Sequence, residues 1–244
     1  MSMSSETAQT ANTPDADTTQ FQPRSATRII TGRRSIRRFL PDDVPAETLR
    51  AILTDAARAP SGTNTQPWKV WCVTGAARDR VSQAVCAAAF AGERSEEYPY
   101  MPSPLPEPYL SRKRQVGYAL YELYGIARDD YPARTQAMLR NFEFFGAPVW
   151  LFFTMDRDLL HGSWLDCGMF MQNVMLLARD HGLETCPQQA WCEFGNVVHE
   201  AVGIPQSEIL ICGMAMGFAD PDAPENKLVS DRIDLDEFAT FLAT

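Results

Sequence analysis

Arg33, Arg34, Ser35, Arg37 and Arg38 place four guanidinium groups and a hydroxyl within six residues of a chain whose net charge is −9. Arg24 and Arg28 lie just upstream. Guanidinium groups this dense repel one another unless an anion sits among them. The planar donor fork of each arginine matches phosphate oxygens, and Ser35 adds a neutral donor. A solvated basic patch is the plainer alternative. A second stretch weighs against it. Residues 59–68 carry Pro60, Ser61, Gly62, Asn64 and Gln66 in an uncharged, turn-rich loop that ends at Trp68. Its hydroxyl, amide and backbone groups suit a flat polar heterocycle with donors and acceptors around its rim. Taken alone the loop is also an ordinary connection, since these residues are turn formers.

No serine or cysteine stands near a histidine in a recognisable nucleophile–base pattern, and no carboxylates are paired by spacing. Any redox chemistry would then fall to a cofactor, with the protein supplying binding, orientation and electrostatics. No Gly-x-Gly-x-x-Gly follows a strand pattern, so a Rossmann dinucleotide site is unsupported. The six cysteines form no Cys-x-x-Cys pair and the histidines are only three, which argues against a metal site. Most of the thiols sit in apolar surroundings as small hydrophobes. Cys186, just before a polar loop, stays open.

The elements that must position these groups read as mixed helix and strand. At 244 residues and 45% hydrophobic content the chain can bury a full core as one domain, residues 23–244. Residues 1–22 hold three acids and no base, and are expected to form a loose arm. Without them the balance is 22 bases against 28 acids, which argues against a nucleic-acid-binding face. No secretory signal and no apolar run of membrane-spanning length is visible, so a cytoplasmic protein is expected. Helices are predicted over 26–31, 45–59, 77–91, 132–145, 163–181 and 235–242. Strands are predicted over 68–74, 148–154 and 209–218. The 163–181 helix is apolar nearly all round in its middle, as in a core or a subunit interface. Residues 183–190 read as a polar turn. In the last strand, Gly213 and Gly217 are expected to permit close approach of another backbone.

Residues 92–131 differ in kind. Pro99, Pro102, Pro104, Pro106 and Pro108 favour extended chain, and a basic, tyrosine-rich helix follows. Tyr118, Tyr121 and Tyr124, three apart, share one face. They either pack that helix on the core or belong to a lid over a substrate. The substrate candidates are Tyr124, Tyr131 and Arg114, with Arg112 as another cation for a carboxylate or nitro group.

Arg-Arg-Ser-x-Arg-x-Phe followed by Pro-Ser-Gly-x-Asn-x-Gln-Pro-Trp resembles the opening of the FMN-dependent nitroreductase family. The resemblance runs from about residue 29 to 242, leaving out the 92–131 insert. It implies an α+β fold with a central mixed or antiparallel sheet flanked by helices, in a homodimer with a cofactor at the interface. It implies non-covalent FMN, NAD(P)H as co-substrate, and ping-pong reduction of a flat nitroaromatic through nitroso to hydroxylamine. Carried over residue by residue, Arg33, Arg34, Ser35, Arg37 and Arg232 would hold the phosphate. Ser230 stands where a second basic residue is common. Pro60, Ser61, Gly62, Asn64 and Gln66 would face the ring. Pro187, Gln188 and Gln189 would lie over it, with the Gln189 backbone near flavin N5. Siblings of this fold reduce halogenated aromatics, quinones or enones, or destroy flavin, and a non-catalytic flavin binder is a further alternative.

Overall fold

The computed structural model describes residues 25–242. The expected arm at 1–22 lies outside them. The centre is a four-stranded sheet of β1 (Lys69–Val73), β2 (Val149–Asp156), β3 (Glu184–Gln188) and β4 (Glu208–Gly217), in the order β1-β2-β4-β3. All three pairings are antiparallel. β2 is buried along its length except at Asp156, because helices cover both faces of the sheet. Alternation sends Trp150 and Phe152 to one side and Leu151, Phe153 and Met155 to the other. The first side packs on α3 (Ala76–Ala91) and α7 (Gly195–Val202), and the second on α2 (Ala46–Ala56) and α6 (His161–Asp180). α1 (Ala26–Gly32), α4 (Tyr109–Leu123), α5 (Tyr131–Leu139) and α8 (Leu235–Phe238) complete the helices of the described residues.

Several expected boundaries move. The 132–145 helix stops at Leu139 and tightens into a 3-10 turn, in which Phe144 and Phe145 take left-handed φ of 46° and 55°. Burial drives this: Phe144 is fully buried and stacks on Trp150 at 4.3 Å and Trp191 at 4.5 Å. Aromatic packing outweighs the backbone strain there. The 45–59 helix ends at Ala56, and the 235–242 helix is one turn, Leu235–Phe238, closed by an Asp234–Glu237 capping box. The polar turn expected at 183–190 is instead strand β3 followed by a 3-10 turn, Gln189–Glu193. Pro187 is tolerated because β3 lies at the sheet edge. The long helix α6 is not buried all round, since Leu165 and Met169 are exposed. The close approach at Gly213 is real, though the neighbour is a side chain: a Cβ there would lie 2.6 Å from the Trp191 ring.

Candidate active site

α1 delivers the arginine run to the outer edge of β3. Ser35 pairs with Thr185 as a parallel bridge, and the Ile36 amide donates to the Thr185 carbonyl at 3.1 Å. Ile36 and Phe39 point into the core, which fixes the intervening polar side chains on the other side. Behind the run, Asn226 acts as a clamp. Its Oδ1 accepts from the amides of Arg37 at 2.8 Å and Arg38 at 3.2 Å, while its Nδ2 donates to the Arg38 carbonyl at 2.8 Å. Glu225 accepts from Arg38 Nε at 3.2 Å and Arg140 Nη1 at 2.9 Å, and Arg140 also donates to the Arg37 carbonyl. Burial opposes ionisation of Glu225, but these two guanidinium groups outweigh it and hold its pKa below the ordinary value. Arg38 is thereby committed to the structure.

Arg33 and Arg34 have no ion pair among the described residues. With Ser35, Arg37 and Arg232 they line a cavity of about 540 Å³, walled on its apolar side by Ile30, Val116 and Leu228. Burial and the neighbouring charge of Arg232 both lower the Arg33 pKa. Two cations are therefore held close in a half-buried cavity, the electrostatic condition that favours an anion. Ser230, where the resemblance puts a second base, accepts from Arg232 Nη1 at 2.8 Å. Cys186 lies behind the same cluster, and burial pushes its thiol up to about 11 even though Arg37 and Arg33 pull it down. The open question at Cys186 closes there, because the thiol stays protonated and inert.

β3 connects this cavity to the Gln189 turn. Four residues separate Thr185, level with Ser35, from Gln189, a span of about 14 Å at strand rise. Pro187 and Gln188 lie along it, and Gln188 donates to the Asn141 carbonyl at 2.8 Å. The Gln189 side chain donates to the Tyr98 hydroxyl at 3.0 Å, which in turn donates to the Ile211 carbonyl at 2.5 Å. Burial pushes the Tyr98 pKa well above its ordinary value, so it remains a donor. Trp164 of α6 meets the Tyr98 ring edge-on at 4.7 Å.

The polar loop stands elsewhere. Its Gly62 amide donates to both oxygens of Asp166, a buried residue of α6, at 3.2 and 3.3 Å. Ser61 Oγ accepts from the Gln66 amide at 3.0 Å, and Gln66 Nε2 donates to the Asn64 carbonyl. Thr63, Asn64 and Gln66 all have positive φ, at 48°, 62° and 49°. Pro60 leads into this turn, and residues 62–66 are exposed. The loop feeds β1, while the arginine run covers β3, at the opposite sheet edge. α6 gives the separation. Asp166 holds the loop, and Arg179, whose guanidinium lies against Gly32, stands beside the arginine run. Thirteen residues of helix make about 20 Å.

The substrate candidates do not converge. Tyr124 lies against Arg140, 5.6 Å from guanidinium to ring centre, close behind the arginine cluster. Tyr131 is exposed at the start of α5 with Arg134 over it, and Arg114 is exposed on α4. Tyr118 and Tyr121 are capped by Arg128 and Arg134, so the tyrosine face binds α4 to its own loop and to α5. Sequence reasoning missed Tyr98, Asp166 and the clamping role of Asn226. Only Asn226 had a signal, its place at the head of the C-terminal motif. Among the described residues no helix is long and apolar enough to cross a membrane.

Fold and cavity together define an α+β protein with an arginine-lined cavity beside the covered edge of an antiparallel sheet. Comparison with known proteins makes the class specific. The Nitroreductase family model matches residues 30–218, and the chain belongs to that family. It is 40% identical to a nitrobenzene nitroreductase of Ectopseudomonas oleovorans over 88% of this chain and 95% of that protein. It is 35% identical to a 4-nitrobenzoate reductase of Pseudomonas putida over 88% of this chain and 94% of that one. Among solved structures, the FMN and NADPH-dependent nitroreductase NfnB of Sphigopyxis sp. strain HMH superposes with a TM-score of 0.88. It is 40% identical over 90% of this chain and 100% of that one.

Proposed function

We propose that this protein is an FMN-dependent NAD(P)H nitroreductase of the cytoplasm, acting on a flat nitroaromatic. The observation that carries the reading is the arginine cavity beside β3, the strand that leads to the Gln189 turn. The residues present fit the cofactor. Arg33, Arg34, Ser35, Arg37 and Arg232 would hold its phosphate, with Asn226 and Ser230 keeping the donors in place. Gln189, backed by Tyr98, would face the ring. When bound, FMN supplies two-electron redox chemistry between the nicotinamide and the nitro group. Each cycle consumes one NAD(P)H and one proton: ArNO₂ gives ArNO and water, and ArNO gives ArNHOH. No second binding groove for a dinucleotide is required if the two substrates take the same face in turn, which is the ping-pong order.

The reading includes a homodimer. The exposed loop of residues 60–66 lies about 20 Å from the arginine cavity along α6, too far to share one flavin with it in the same chain. A second copy related by a two-fold axis would bring its loop to the first copy's cavity and complete two equivalent sites. Exposed Leu165 and Met169, one helical turn apart on α6, supply an apolar stripe for that contact.

The test is an anaerobic titration of the purified protein with NADH and NADPH, followed by a pulse of 4-nitrobenzoate. Bleaching of a flavin band by one nucleotide and its return with hydroxylamine formed is expected. Bleaching that nitroarenes do not reverse would redirect the acceptor to halides, quinones or enones. Absence of any flavin band after adding FMN would end the reading.

A further inference from the structure

The root of the insert, residues 93–98, is strapped to the turn that follows Gln189. The Ser95 amide donates to the Glu193 carbonyl at 3.0 Å, the Gly195 amide to the Ser95 carbonyl at 2.8 Å, and the Glu97 amide to the Cys192 carbonyl at 2.9 Å. The Glu97 side chain then runs inward, only 4% exposed. Its Oε1 lies 2.6 Å from His199 Nε2 on α7, and its Oε2 lies 3.0 Å from Arg157 Nη2 beyond β2. Both partners are themselves fixed. His199 Nδ1 faces the Ile204 carbonyl at 3.1 Å, and Arg157 donates to the carbonyls of Gln206 at 3.1 Å and Glu208 at 2.7 Å. Gly195 leaves the passage open: a Cβ there would stand 2.5 Å from Glu97 Cγ. A carboxylate threaded past a glycine into two basic partners is a built anchor, and none of its members touches the arginine cavity.

The next residue is Tyr98, whose hydroxyl sits between Gln189 Nε2 and the Ile211 carbonyl. We propose that Glu97 is a positioning residue for the substrate side of the flavin site, locking the insert root so that Tyr98 holds the Gln189 turn and the edge of Trp164. The inference rests on the flavin reading of that turn. Glu97 acts through Tyr98 and needs no contact with cofactor or substrate. A shift passed from Glu97 to Tyr98 loosens the seat of the bound substrate equally in the ground and transition states, which KM reads while kcat stays nearly constant.

The test compares Glu97→Gln and Gly195→Ala with wild-type holoenzyme. The first removes the charge and keeps the shape; the second crowds the carboxylate and leaves every charge in place, and it serves if the first variant accumulates poorly. Two readouts are taken: Trp164 fluorescence, isolated by subtracting a Trp164→Phe background, and steady-state kinetics with 4-nitrobenzoate. Expected are a shifted Trp164 emission and a KM raised about tenfold with kcat changed less than about threefold, FMN content being retained. Unchanged emission and KM in both variants would overturn the proposal. A shifted emission with unchanged KM would overturn the functional role and reduce Glu97 to a structural anchor. Wild-type protein that fails to bind FMN would instead bring down the underlying site reading, because the emission readout needs no flavin.

Discussion

Complementation between two weakened variants tests the shared site most directly. Two rulers place the loop and the arginine cavity far apart in one chain. Along α6 the separation from Asp166 to Arg179 is about 20 Å. Across the sheet, the loop's end at Lys69 pairs with Thr154, whereas Ser35 is level with Thr185, Met216 and Val149. Four strand spacings and five residues of strand combine to about 25 Å. On the dimeric reading proposed above, one flavin would draw arginines from one copy and the loop from the other. The first variant is Arg33→Ala, and the second is Asn64→Gly, which removes the amide while tolerating the positive φ of 62°. A charge-assisted hydrogen bond lost from the cavity costs roughly 1.5–3 kcal/mol and a neutral one lost from the loop roughly 0.5–1.5, so Arg33→Ala should bind FMN on the order of 10–100-fold more weakly and Asn64→Gly several-fold more weakly. Mixed under conditions that exchange subunits, half of the dimers become heterodimers. In each heterodimer one site carries both lesions and the other carries neither. At limiting FMN these intact sites should contribute about one quarter of wild-type activity and lift the mixture above the mean of its parents. The assay is nitroarene-dependent NADPH oxidation, with an unexchanged mixture as control. A mixture no more active than the mean of its parents would refute the shared site and with it the dimeric reading.

Three further outcomes follow from the cavity and the core. Arg33→Ala should leave apoprotein stability unchanged or slightly raised, since it relieves repulsion with Arg232, whereas Arg38→Ala should destabilise, because it strips a partner from buried Glu225; thermal melts of the two apoproteins decide. Gly213→Ala drives a methyl to 2.6 Å from Trp191 and should cost about 1–3 kcal/mol in urea unfolding. Glu225 has a folded pKa below the usual 4.5, so its stabilisation is complete above the unfolded value and is lost as pH falls through the lowered folded one. The stability gap between wild type and Glu225→Gln, measured by denaturant titration, should narrow on acidification below that ordinary value and stay constant at neutral pH.

What the sequence disclosed and what it hid have separate physical causes. β2 and β4 are long apolar runs buried on both faces, a pattern that needs no tertiary knowledge. The arginine run announces an anion site because charge density is visible without a fold. β3 was hidden: Thr185, Cys186 and Pro187 have no strand pattern of their own, and the strand exists because β4 on one side and residues 35–36 on the other supply its partners. The break at Arg140 was hidden for a similar reason, since Phe144 leaves the helix to stack on Trp150 and on Trp191, the second of them 47 positions away. Glu97 and Tyr98 lie in a proline-rich stretch whose composition reads as exposed chain, yet their side chains reach His199 and Ile211 across more than a hundred positions.

The loop at 60–66 has a motif that suggests a ring-facing role but does not fix its place, and its backbone is strained. Thr63, Asn64 and Gln66 each sit at positive φ, a region that costs non-glycine residues of order 1–3 kcal/mol, with asparagine the mildest case. The offsetting bonds from Asp166 and Ser61 fix the turn from below and within. They leave residues 62–66 exposed. Strain held on an exposed polar surface, over a buried carboxylate that preserves it, fits a binding surface. On the dimeric reading proposed above, its partner would be the arginine cavity of a second copy.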